Sequence, residues 1–479
     1  MLAPLARPFA CSALPAALLV ATLAFDAPVQ AKDVTATVNG RTVISHGLVG
    51  VGRIPANQRD RFGETFGSGS GMAVDTSSWR RDGDSYSGTL WLLPDRGYNV
   101  EGTTDYRPRL NTISFTFTPK AKGDQSTIVA RLGDAMLLTE ADGTPTTGLD
   151  PGQGGVRPAK NDFPDLPQAS NGRISLDTEA VVHMPDGTWF IGDEYGPYIY
   201  RFSADGKLMS AIRPPEALVP LRNGKTDFAS NNPGPGAKAP SPKNPEFGRQ
   251  NNQGLEGVTL TPDGKTLVAI LQSATRQDGG DAPETRRHTR ILFYDVADAA
   301  HPKLMREHVV PLPVFTGADG KQKVAAQSEI LALGNDLFLL LCRDSGAGYG
   351  FKDPKSRYRK IELLDTSKAS DIAGSEYDGK TPVAPSGVLA SGVIPATLTP
   401  LIDINDNAEL NKFGMHNGAP RDRNNLSEKW EAMGLLPALD PAKPDDWFLF
   451  VANDNDFITQ DGFQVGATYQ DPSGVDLDT

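Results

Sequence analysis

Apolar positions fall in short runs rather than at helical spacing: residues 90–93, 189–191, 266–271, 337–341 and 447–451 each read as a β-strand. A second short apolar stretch and a turn precede each run. Several of these turns carry Asp-Gly, at 186–187 and 263–264, the strongest short hairpin signal, and Gly334-Asn335 serves the same end later. Laid over one another, the segments repeat. SGMAVD (70–75) leads after an insertion to LWLLPDRG (90–97), and EAVVHMPDGTWFIGDEYG starts at Glu179. EGVTLTPDGKTLVAILQSA starts at Glu256, EILALGNDLFLLLCRDSG at Glu329 and EAMGLLPALDPAKPDDWFLFVANDND at Glu431. Outer strands follow in several units, as in YIYRFSADGK (198–207), RILFYDV (290–296) and RKIELLD (359–365). A four-stranded antiparallel unit repeated radially is a β-propeller, so the chain is expected to be all-β. Five units are visible, and residues 33–50 pairing with a C-terminal strand would close a sixth. Six blades are therefore expected, within a range of five to seven.

The repeat has chemical content. In a propeller the innermost strand starts at one face of the central channel and the second strand returns to it. That rule gathers Glu179, Glu256, Glu329 and Glu431 around one opening, with Asp95, Asp193, Asp344 and Asp454 close by and Glu194 and Gln272 beside them. Facing carboxylates repel unless something cationic sits between them. A hard cation bound by oxygen answers this most simply, and Ca²⁺ fits best. Glu179, Glu256, Glu329, Glu431, Asp95, Asp344 and Asp454 are the candidate metal ligands. A Glu at a strand start also caps turns or bonds to the next blade's backbone, so each one alone has a purely structural alternative. The first unit holds Gly71 in this slot, leaving a gap in any ring. Arg96 and Arg343 lie at the same rim, where they would clamp a phosphate or pair locally with an adjacent Asp. With Asp193 they are the candidate catalytic groups. Tyr195 and Tyr349, in Gly-flanked loops, are candidates for substrate contact.

Composition narrows the class. Gly and Pro together reach roughly 18% of 479 residues against about 12% on average, an excess that suits turns and not collagen or low-complexity coil. The surplus concentrates in 141–172, 214–250 and 367–395, which are either solvated insertions or covers over a site. A net charge of −12 lacks the footprint of a nucleic-acid binder. Residues 1–31 read as an export signal: Arg7, an apolar run over 13–25, and Val29-Gln30-Ala31 before the cut. The mature chain, 32–479, is expected to be one periplasmic or secreted propeller domain and a monomer, with no membrane span once the signal is removed. It retains Cys342 as its only cysteine, so no intrachain disulfide is possible.

Familiar catalytic motifs fail. Gly67-Ser68-Gly69-Ser70-Gly71 is no nucleophile elbow, Asn223-Gly224-Lys225-Thr226 lacks the first Gly of a P-loop, and Asp403-Ile404-Asn405-Asp406-Asn407 departs from an EF-hand at Ala408 and Gly414. No HxxxH spacing marks a zinc site.

DTEAVVHMPDGTWFIGDEYGPYIYRFSADGK (177–207), NNQGLEGVTLTPDGKTLVAI (251–270), LWLLPDRGYN (90–99), WEAMGLL (430–436) and FVANDND (450–456) resemble the phytase-like, "esterase-like activity of phytase" family. The likeness runs over most of 45–460. It implies an exported propeller related in architecture to calcium-dependent phytases. The Glu at the head of an inner strand is also similar to the metal ligand of gluconolactonase-type propellers, matched by Glu179 and Glu256. Three functions follow as expectations: a metal-dependent phosphoesterase acting on a small phosphate ester, a lactonase or carboxylesterase on the same metal, and a non-catalytic Ca²⁺-binding propeller.

Overall fold

The computed structural model describes residues 33–457 except 56–57, 67–68, 98–101, 121–126, 235–236 and 456, together with the strand pair Phe463–Gln464 and Ala467–Thr468. The expected export signal lies outside the described residues. A hairpin, β1 (Val34–Val38) and β2 (Arg41–Ser45), comes first. The first blade is β3 (Gly71–Asp82), β4 (Ser85–Leu93), β5 (Arg109–Phe117) and β6 (Ile128–Leu137). The second is β7 (Thr178–His183), β8 (Trp189–Asp193), β9 (Ile199–Phe202) and β10 (Leu208–Ile212). The third is β11 (Leu255–Leu260), β12 (Thr266–Leu271), β13 (His288–Asp295) and β14 (Lys303–Pro311). The fourth is β15 (Ala326–Ala332), β16 (Leu337–Arg343), β17 (Arg359–Asp365) and β18 (Thr397–Asp403). A fifth unit holds only β19 (Trp430–Pro437) and β20 (Trp447–Asn453). Within each four-stranded sheet the strands pair antiparallel in chain order.

The turns form as the sequence requires. Between β7 and β8, Asp186 Oδ1 accepts from Thr188 N at 2.9 Å and Thr188 Oγ1 at 2.6 Å, and Gly187 takes φ +83°, which a side chain would resist. Asp263 and Gly264 repeat the arrangement.

Inner strands are buried on both faces because each blade is sandwiched between two others. Val181 faces Ala73 and Leu93 of the first blade, while Ala180 and Val182 face Val258 and Leu267 of the third. Ile270 and Phe293 meet Ile330 and Leu340, and Leu339 and Leu341 meet Met433. Ala432 and Leu436 pack on Met72 and Leu92, closing the ring. Each fully buried aliphatic side chain contributes about 1.5–3 kcal/mol. Outermost β6 alternates between exposed and half-covered positions instead. Among the described residues the ring therefore closes with five inner strands, not six. The N-terminal hairpin pairs with itself rather than with a C-terminal strand, and Ala36 and Val38 pack on the fourth and fifth blades. No helix among the described residues is long and apolar enough to cross a membrane.

Candidate metal centre

Four of the five inner strands carry a β-bulge at the rim, and its position decides where the repeated Glu goes. In the β7–β8 ladder Thr178 and Ala180 have partners while Glu179 is skipped. Glu256 is skipped between Leu255 and Gly257, and Glu431 between Trp430 and Ala432. An extra residue in one strand re-aims its side chain. In the fourth blade the skipped residue is Ser328, one earlier, and Glu329 sits in the regular ladder opposite Leu341. Ser328 Oγ then bonds the Trp430 carbonyl at 3.0 Å. Glu329, though buried, accepts from its neighbour Ile330 N at 2.7 Å, and burial alone raises its pKa. In the first blade Gly71 stays in register with Leu93, and a Cβ there would lie 2.8 Å from the Glu179 carbonyl. The gap is thus a close backbone approach, with Ser70 Oγ bonding Asp454 at 2.5 Å beside it.

Two acidic groups share Glu179. Oxygens of Asp95, Asp177 and Glu179 lie within 4.8 Å of one another, as do those of Glu179, Glu194 and Glu256. The first group is already answered by cations. Arg96 pairs with Asp177, and Lys429 Nζ lies 2.9 Å from Asp95, 3.2 Å from Asp454 and 3.5 Å from Glu431. The second group differs. Gln272 donates to Glu256 Oε1 at 2.6 Å and Gly254 N–H to Glu194 Oε1 at 3.3 Å, but Glu194 Oε2 and Glu256 Oε2 are buried with no N–H or hydroxyl donor, and the two carboxyls hydrogen-bond each other only where Glu256 keeps its proton. Burial first, then the other acids, pushes the pKa of Glu179 and Glu256 well above the carboxylate range. Glu194 is raised too, by burial, with Arg96 opposing. Gly254 is required here, since a Cβ would stand 2.4 Å from Glu194 Cα.

The remaining expected residues divide. Asp454 faces the centre with its pKa pushed up to about 7, by burial and then Asp95, against Lys429. Glu431 pairs with Arg343. Neither arginine pairs with its sequence-adjacent Asp: each reaches the next blade. Asp193 is fully buried and accepts from Asp177 N at 2.6 Å and Gly196 N at 2.9 Å, so it holds the backbone that presents Asp177. Asp344 lies outside both groups, accepting from Ser356 Oγ and Arg357 N at 2.6 Å each. Tyr195 is buried, donates to the Gly148 carbonyl at 2.8 Å and lies under the Arg96 guanidinium. Tyr349 is buried in the 345–350 loop, its N–H on the Leu426 carbonyl at 2.8 Å. Burial raises the Cys342 thiol, leaving it unsuited as a nucleophile.

Sequence reasoning missed Asp177 and Lys429, each two residues before a rim Glu, a spacing shared by the two blades that could have flagged them. The described part of the 214–250 insertion is tied down: Arg249 donates to the carbonyls of Tyr195 and Phe228, and Asp150 accepts from Ser230 and Asn232 N–H.

This propeller, with an acid-lined centre, belongs to the Phytase-like family, described as "Esterase-like activity of phytase", which it matches over residues 64–457. It is 38% identical over 453 residues to a protein of Arthroderma benhamiae described as an uncharacterized secreted protein, covering 87% of this chain and 88% of that one. Among solved structures, a candidate 6-phosphogluconolactonase from Bacteroides uniformis aligns at 12% identity and TM-score 0.26, over 69% of this chain and 73% of that one. Saccharomyces cerevisiae Sqt1 aligns at 9% and 0.26, over 78% and 67%. Likenesses that loose carry no argument about function.

Proposed function

We propose that the chain is an exported, metal-dependent ester hydrolase, with a small phosphate ester as substrate, whose cation is held by Glu179, Glu194 and Glu256. The carrying observation is that one oxygen from each of three buried acids, Glu179, Glu194 and Glu256, lies within 4.8 Å of the others, and that Glu194 Oε2 and Glu256 Oε2 meet no N–H or hydroxyl donor, so that without a cation the two carboxyls are left to share a proton. Buried charge without a partner is costly, and an oxygen-only donor set suits Ca²⁺. Export is supported by the relative described as secreted. When bound, the dication would supply Lewis-acid polarisation and a more acidic water.

The protein's own residues do the rest. Gln272 and the Gly254 N–H fix the orientation of Glu256 and Glu194. Lys429 and Arg96 neutralise Asp95 and Asp177, so the neighbouring group does not compete for the same cation. Asp454, titrating near 7 beside Lys429, is suited to hold a proton at the rim. One observation favours a second reading, a structural ion without catalysis: Glu179, Glu194 and Glu256 are all buried.

Protein lacking residues 1–31 would be assayed on p-nitrophenyl phosphate, phytate, p-nitrophenyl acetate and a lactone, with Ca²⁺ or EDTA. Metal-dependent phosphate release, lost in Glu179→Gln and Glu256→Gln, is the expected result. Turnover of the acyl ester or lactone alone would move the assignment to a carboxylic ester. Inactivity on all four with a Ca²⁺-dependent rise in Tm would leave the structural ion.

A further inference from the structure

Arg359 opens β17 directly opposite Arg343, the last residue of β16. Two guanidiniums therefore leave the same face of one blade. Like charges so placed repel, and burial removes the water that would screen them. Arg343 is answered by Glu431 and, at 3.6 Å, Glu428. Arg359 makes no direct ion pair among the described residues, although the charge of Asp344 acts on it from nearby. It is fully buried, its Nε and Nη1 have no hydrogen-bond partner, and Nη2 makes only a long 3.5 Å donation to the Ala347 carbonyl. The nearby carboxylates point their hydrogen bonds elsewhere: Asp344 accepts from Ser356 Oγ and the Arg357 backbone N–H, Asp403 pairs with Lys360, and Glu428 with Arg343 and the Gly346 N–H, so none bonds Arg359 directly.

We propose that Arg359 and Arg343 form an oxyanion site for a phosphate group, roofed by the glycine-rich segment 345–350. The anion takes the place of the Ala347 carbonyl on Arg359 and reaches the Nε of Arg343, which also has no partner. Planar guanidinium forks match phosphate oxygens, and two of them neutralise a doubly charged group. Arg343 lies close enough to Glu256 to act on its charge, so the site borders the carboxylate centre. Naming the occupant as the substrate's phosphate rests on the esterase reading; anion binding itself does not.

The folded protein, stripped with EDTA so that no dication captures the anion, would be titrated calorimetrically with inorganic phosphate at constant ionic strength. Saturable one-to-one binding is expected for wild type and Glu256→Gln, at least tenfold weaker for Arg359→Lys and absent for Arg359→Met. p-Nitrophenyl phosphate should compete for the site, which separates a substrate subsite from one for free phosphate alone. Absence of saturable binding to wild type, or equal affinity in Arg359→Lys and wild type, would overturn the site whether or not Arg359→Met folds. Phosphate binding in a protein that turns over no ester would sink the esterase reading and leave the oxyanion site standing.

Discussion

Glu256 and Glu329 hold the same place in the repeated sequence unit on the inner strands of adjacent blades, yet only Glu256 joins the central carboxylates. The difference is one residue of register. The bulge falls on Glu256 in the third blade and on Ser328 in the fourth, so the acid turns inward in one and stays on its own strand in the other. A repeated residue is thus a repeated site only where the backbone irregularity repeats with it.

The largest effect should come from removing the acid that the bulge presents. Glu256→Gln is expected to lower dication affinity about 100-fold or more, with hydrolysis falling alongside, while Glu329→Gln stays within about twofold on both. Equal losses in the two variants would erase the distinction. Next comes the cation that answers the other acidic group. Lys429→Met leaves Asp95, Glu431 and Asp454 without it and should cost about 3 kcal/mol by denaturant unfolding.

A buried carboxylate away from the centre sharpens the comparison further. Glu307 pairs with Arg290 at 2.8 Å, yet its pKa is pushed up to about 7, because burial outweighs the arginine. The folded carboxyl keeps a proton that the unfolded one releases near 4.5, so its contribution is full below that pH and falls as pH rises toward 7. The loss is on the order of 3 kcal/mol at most. Glu307→Gln should flatten that slope in melts from pH 4 to 8, with EDTA or without, and an unchanged slope would assign it to other groups. Smallest is Ser328→Ala, which removes the bond to the Trp430 carbonyl and should cost about 1 kcal/mol.

Much of this was legible from the chain. Short apolar runs separated by Asp-Gly turns announced the hairpins, because the turn residues satisfy turn geometry locally. The rim position of Glu179, Glu256, Glu431 and Asp454 followed from strand direction. The bulge was not legible: it is set by how neighbouring inner strands pack, as the approach of Gly71 to the Glu179 backbone illustrates. The partners of Arg96 and Arg343 were equally hidden, since both lie on the next blade, far away in sequence. Blade number slipped because the N-terminal strand pairs with its own hairpin neighbour.

The central claim is that Glu179, Glu194 and Glu256 hold a dication. Calorimetric titration of EDTA-stripped protein with Ca²⁺, on wild type, Glu256→Gln and Glu329→Gln, tests it most directly. One saturable site in wild type and Glu329→Gln, lost in Glu256→Gln, is the predicted result. No binding in wild type, or the same isotherm in all three proteins, would contradict it.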